Sequence, residues 1–145
     1  MPSVRGCNLP DDLLYDVDNH IWFTEVGDGT VKIGMTAVAT AMAGKLVAFT
    51  PKRVGRSVRA GKSCGTLESG KWVGPAKSLA GGEVVAVNDA LVNEPSIAND
   101  DPYDAWLIIL KPEDWDSVKG SLVIGSDVAA PYEAKMDSEG FGGCA

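Results

Sequence analysis

Histidine is nearly absent from this chain, at one in 145 residues, and cysteine is scarce, at three. A metal site needs more such ligands at close spacing, and no CxxC pair is present, so no metal is expected. Cys7, Cys64 and Cys144 are odd in number and widely spread, which does not make a disulfide framework. Cations are the minority charge: 13 Lys and Arg stand against 20 Asp and Glu, for a net charge of −7. Nucleic-acid binding needs cations to neutralise phosphates, so no nucleic-acid partner is expected. No apolar run approaches the length of a bilayer-spanning helix, and no membrane insertion is expected. Met1-Pro2-Ser3-Val4-Arg5-Gly6-Cys7 is followed by Asp11, Asp12, Asp16 and Asp18, where a signal peptide would carry its apolar core. The expected compartment is therefore the cytoplasm. The chain also lacks a nucleophile–base pair, an acid dyad and a phosphate loop, since Gly27-Asp28-Gly29 has the spacing of a turn. No catalytic residue is assigned, and an enzyme in its own right is not expected.

What is present is material for a core. Hydrophobic residues make up 45% of the chain, and 17 glycines punctuate short apolar runs, which fits one globular domain. The run from His20 to Val26 is aromatic and β-branched and reads as a strand. Gly27-Asp28-Gly29 makes a hairpin turn into a returning strand over Thr30 to Gly34. Thr36 caps a short helix from Ala37 to Ala43, which Gly44 ends. Further strands are expected at Lys45–Thr50, Ser57-Val58, Ser63–Leu67, Gly82–Asn88 and Trp106–Lys111. Between the last two lies a polar loop with a short helix. Pro112 to Trp115 opens another helix, and Ser126-Asp127 caps a C-terminal one reaching Met136, with Pro131 in its early turns. Gly140, Gly142 and Gly143 then mark a loose end. Many short strands with little helix predict a mainly β fold, a sandwich or small flattened barrel with short flanking helices.

One residue is out of place for packing. Lys71 stands in Thr66-Leu67-Glu68-Ser69-Gly70-Lys71-Trp72-Val73-Gly74-Pro75, on a turn between the strand that ends at Leu67 and the one that begins at Gly82. Locally it reads either as a solvated turn lysine or as an attachment point. The context favours attachment. His20-x-Trp22, Gly27-Asp28-Gly29-Thr30 and Val31 to Thr36 resemble the opening of the glycine-cleavage H protein family. Glu68-Ser69-x-Lys71 resembles that family's lipoylation motif. Gly82-Glu83-Val84-Val85-x-Val87-Asn88, Asp101-Pro102-Tyr103 with Trp106-Leu107, and Leu110-Lys111-Pro112 continue the match in order.

The resemblance implies a lipoyl-domain, H-protein-like flattened β-barrel sandwich with a C-terminal helix. It implies lipoic acid in amide linkage to Lys71, with Glu68, Ser69, Gly70 and Trp72 around the attachment point. It divides the chain into an N-terminal extension (1–19), a lipoyl-carrier domain (20–125), and a C-terminal helix with Gly-rich tail (126–145). The implied partners are a lipoate-attachment enzyme, dihydrolipoamide dehydrogenase and the enzymes the arm serves. Biotin carriers resemble Met-Lys-Met around their lysine, whereas here Gly70 and Trp72 flank it.

The chain departs from the family at two acids. The family reads His-Glu-Trp and carries an aspartate four residues past the lysine, and both acids help hold the aminomethylated arm. Here the positions are Ile21 and Pro75, which cannot pair with a cation. With Gly70-Lys71-Trp72, Gly6-Cys7-x-x-Pro10 and a Gly-rich end carrying Cys144, these changes resemble the lipoate-binding proteins of bacterial sulfur oxidation. That branch implies work with a heterodisulfide-reductase-like complex, and the glycine-cleavage enzymes are the alternative. A third reading is an unmodified interaction module on the same fold.

Trp72 is either a rim aromatic or a surface for the arm, and Gly70 is expected to permit a turn closed to other residues. Cys7 and Cys144 read as free thiols on loose segments, with thiol exchange with each other or with the arm as the alternative. Cys64 is expected in the core, and His20 is expected to be structural.

Overall fold

The computed structural model describes residues 3–144; Met1, Pro2 and Ala145, the ends of the expected extension and tail, lie outside them. Strands β1 (Ser3–Val4) and β2 (Cys7–Asn8) pair across an Arg5-Gly6 turn in which both residues have positive φ. Then come β3 (Leu14–Asp16), β4 (Ile21–Glu25) and β5 (Val31–Met35), helix α1 (Ala37–Ala43), and strands β6 (Leu46–Pro51), β7 (Ser57–Val58), β8 (Lys62–Ser69), β9 (Val73–Ser78) and β10 (Gly82–Val87). Helices α2 (Asp89–Asn93) and α3 (Ile97–Asp100) precede β11 (Ile108–Pro112). Helix α4 (Trp115–Ser121), β12 (Val123–Ile124), a 3-10 turn (Gly125–Asp127) and α5 (Ala129–Glu139) complete the order. No helix of the described residues is long and apolar enough to cross a membrane.

The strands make a seven-stranded sheet, β12-β3-β4-β5-β11-β10-β7, and a three-stranded sheet, β6-β8-β9, beside the small β1-β2 hairpin. The two larger sheets share one core. Phe23, Ile33, Val84 and Leu110 of the first meet Leu46, Phe49, Leu67 and Ala76 of the second. Alternation along the strands aims these residues inward, as a sandwich requires. The fold is therefore the mainly β, flattened sandwich with flanking helices that the sequence predicts.

Strand β4 is buried on both faces. Ile21 and Phe23 enter the sandwich core, while Trp22 points to a second cluster with Tyr15, Val38, Tyr132 and Met136. Gly34, its partner on β5, makes room for the indole: a Cβ there would lie 2.3 Å from Trp22 Cε2. The Trp22 Nε1–H donates to the Pro102 carbonyl at 3.1 Å, so the buried ring leaves no orphaned donor. Helix α5 roofs this cluster. Pro131 falls in its first turn, where a missing N–H is harmless, and Gly140 ends it at φ 65.

The structure corrects three expectations. The strand paired with β8 beyond Lys71 is β9, in antiparallel register from Glu68↔Val73 to Lys62↔Ser78, and the Gly82 strand lies in the other sheet. Ser126 and Asp127 form a 3-10 turn instead of capping α5, which has no side-chain cap. The glycine tail is not loose. Phe141 N–H donates to Met136 O at 2.9 Å, Cys144 N–H donates to Arg5 O at 2.9 Å, and Arg5 Nη1 donates to Phe141 O at 3.0 Å.

Candidate functional site

The β8–β9 hairpin closes on Gly70 and Lys71. Ser69 is buried, and its N–H donates to the Trp72 carbonyl at 2.7 Å, while the Lys71 N–H donates to Ser69 Oγ at 3.3 Å. Leu67, two residues back, is anchored in the core. Lys71 therefore rises from a tip whose base is fixed. Its side chain is exposed and forms no ion pair among the described residues. Glu68 lies outward on β8, opposite Val73.

The expected role for Gly70 does not hold. Its φ lies outside the left-handed region, and a Cβ there would meet nothing within 4 Å. The glycine that the site does require is Gly44. At φ +80 it ends α1, donating its N–H to Thr40 O at 3.0 Å, and a Cβ there would lie 3.1 Å from Lys71 Cε. The lysine stem thus runs along bare backbone. Asn99 fixes that backbone by donating to Gly44 O and accepting from Leu46 N–H, each at 2.9 Å.

Beside the stem opens a groove of about 480 Å³. Met35, Met42, Ala43 and Leu67 give it apolar walls, and Trp72 lines its rim. Trp72 is 38% exposed and folds back over Gly74, where a Cβ would fall 2.3 Å from Cζ2. It is thus a rim aromatic and a wall of the groove at once. Ile21 and Pro75, the positions without acids, also line it.

The groove does hold one carboxylate, from the C-terminal helix. Glu139 Oε1 lies 2.8 Å from His20 Nε2, and Tyr132 Oη lies 3.0 Å from His20 Nδ1. Burial holds the imidazole below its ordinary pKa against the opposing pull of Glu139, so the ring is neutral at pH 7. Neutral His20 then donates from Nε2 to Glu139 and accepts at Nδ1 from the Tyr132 hydroxyl, which itself accepts from Thr36 Oγ1 at 3.0 Å. Both ring nitrogens are engaged, leaving no lone pair for a general base. His20 is structural. Its φ of 57 is held by these bonds and by stacking on Tyr132.

The expectation of free thiols at Cys7 and Cys144 is corrected. The two form a disulfide across 137 residues, with Cα atoms 5.0 Å apart. It joins β2 to the tail on the far side of α1, and neither cysteine lines the groove of Lys71. Cys64 is buried, and burial pushes its thiol up to about 12, which removes its nucleophilicity at neutral pH.

Gly44 is legible in sequence only as a helix stop, and nothing local in Glu139 points to the groove. Each acts on Lys71 or His20 across long stretches of chain.

Comparison with known proteins gives a consistent picture. The family model described as "Glycine cleavage H-protein" matches residues 13–135. The chain is 46% identical over 145 residues to "Glycine cleavage system H protein 5" of Aquifex aeolicus, covering 97% of both. It is 38% identical over 131 residues to "Probable glycine cleavage system H protein 3" of Saccharolobus solfataricus, covering 90% of this chain and 94% of the relative. A crystal structure of a glycine cleavage system H protein from Mycobacterium marinum superposes with TM-score 0.72 at 33% identity, over 91% of this chain and 99% of that one.

Proposed function

This chain belongs to the glycine cleavage H-protein family, and we propose that it is a non-catalytic carrier with lipoic acid amide-linked to Lys71 Nζ. The observation that carries this reading is the exposed amine on the rigid two-residue tip of β8–β9, beside an apolar groove of about 480 Å³. The residues fit the group. A primary amine without a salt bridge is open to acylation, and an apolar groove suits an aliphatic arm bearing two sulfurs. When bound, lipoate supplies a dithiolane that cycles between disulfide and dithiol by thiolate exchange. Ser69 and the β8–β9 ladder fix the base of the arm, Glu68 and Gly70 leave the lysine open to the attaching enzyme, and Trp72 shields one side. Tethering then raises the arm's effective concentration at any docked enzyme.

For the cargo, similarity to glycine cleavage system H proteins favours a glycine-cleavage-type system, in which the arm would carry a one-carbon amine. Glu139 supports that reading by giving the groove a carboxylate. A second reading, a carrier for sulfur oxidation serving a heterodisulfide-reductase-like complex, is favoured by Ile21 and Pro75, which present no acid where the family motif has one. In either case a lipoate-attachment enzyme and dihydrolipoamide dehydrogenase are the further partners, and the cytoplasm is the compartment. The Cys7–Cys144 pair would there face a reducing thiol pool and would be open to exchange. Incubation with lipoate and an attachment enzyme tests the carrier role: wild type is acylated and Lys71→Arg is not. Supplying the acylated protein to glycine decarboxylase and its aminomethyl-transfer partner separates the cargoes. Turnover equal to that of a standard H protein favours glycine cleavage, and no turnover favours sulfur chemistry.

A further inference from the structure

We propose that the arch between β6 and β8 is a docking surface for an acidic face of a partner protein, at the end of the three-stranded sheet opposite Lys71. Lys52, Arg53, Arg56, Arg59 and Lys62 fall within eleven residues that contain no acid, in a chain with 13 cations and 20 acids overall. All five are exposed, and none is in an ion pair among the described residues. Glu83, which faces Ser57 in the β10–β7 ladder, does not neutralise them by contact. An unpaired cation cluster on an otherwise acidic molecule is a directional feature. It attracts an acidic surface at one end and repels it elsewhere.

The backbone that carries these cations is held in place. Gly55 N–H donates to Val84 O at 2.8 Å, Val84 N–H donates to Arg56 O at 2.9 Å, and Gly61 N–H donates to Ser78 O at 2.7 Å. Val58 is buried beneath it, and Gly55 and Gly61 take the positive φ values of +91° and +77° that its turns need. Preordered charges lose less entropy on binding than charges on a floppy loop.

Val54 identifies the kind of partner. It is 61% exposed and sits in sequence between Arg53 and Arg56. An apolar knob with a cationic rim matches the apolar-centre, polar-rim organisation of protein interfaces. A nucleic acid gains nothing from Val54, and its extended charge would run against the acidic remainder of the chain. Position also favours docking. Strand β8 runs from Lys62 to Ser69, so the arch lies about 23 Å from the lysine tip at the usual rise per residue. That exceeds the Debye length of about 8 Å at physiological salt, so the two ends act independently. A partner held at the arch leaves the groove clear.

Acylation of Lys71 plays no part in this docking, so the unmodified 145-residue chain serves for the test. Poly-L-glutamate is the probe, with a DNA duplex and phosphatidylserine vesicles as competitors at equal ionic strength. The expected result is binding to poly-L-glutamate that weakens about tenfold or more between about 20 mM and about 200 mM salt. The triple variant R53E/R56E/R59E should abolish it. Should the triple variant lose cooperative unfolding, R53Q/R56Q/R59Q takes its place. Undiminished binding in the charge variants overturns the proposal, as does tighter binding to duplex or vesicles than to poly-L-glutamate.

Discussion

Gly44 and Gly70 flank the same lysine and make opposite demands. Gly44→Ala forces an L residue to φ +80 and places a methyl 3.1 Å from Lys71 Cε. We expect a loss of about 1 kcal/mol in denaturant unfolding and slower acylation of the displaced amine. Gly70→Ala meets open space outside the left-handed region, and should change stability by no more than about 0.5 kcal/mol. Equal losses of stability in the two variants would contradict the left-handed backbone at Gly44. His20 adds a pH dependence with a definite sign. Burial lowers its pKa in the folded state, so the unfolded chain binds the proton more readily. The stability contributed by neutral His20 is complete above its unfolded value of about 6.5 and is lost as pH falls below it. His20→Asn tolerates the left-handed backbone and should flatten the unfolding midpoint between about pH 7 and pH 5. An unchanged slope in that variant would count against the buried neutral imidazole.

At the scale of elements, legibility followed how local each cause is. Helix α1 was readable to its ends because Thr36 accepts from Ala39 N–H within its own first turn and Gly44 stops the helix. Strand β9 was not, because Val73-Gly74-Pro75-Ala76-Lys77-Ser78 has little β propensity and is a strand only by pairing with β8. Pro75 is tolerated there because β9 is an edge strand, as Pro51 is on β6. The turn that carries Lys71 is legible locally, whereas the Glu139 wall of its groove depends on where α5 docks. The Cys7–Cys144 bond is the extreme case, since its two halves are 137 residues apart. It closes a loop of nearly the whole chain. Breaking it with Cys7→Ser should therefore cost about 2–4 kcal/mol in denaturant unfolding. The denatured protein should yield one titratable thiol, Cys64, before reduction and three after it. Three thiols without reductant would refute the clasp.

The molecule as a whole sets three features apart on one frame. Strand β4, buried on both faces, ties the sandwich core to the cluster under α5. The lysine tip and groove occupy one end of the three-stranded sheet, and the cationic arch occupies the other. The disulfide and Arg5, which pairs with Glu133 and Asp137, fasten the β1–β2 hairpin to α5 and the residues after it. The frame does not need Lys71 for packing, so Lys71→Arg should unfold at the wild-type midpoint while losing all carrier function. A lowered midpoint would mean that the amine is part of the core. The central claim is a covalent one, and peptide mass mapping of the protein purified from its own host tests it most directly. The expected result is a peptide heavier by one lipoyl group that spans Lys71 and resists trypsin there. An unmodified Lys71, cleaved by trypsin in every copy, would contradict it.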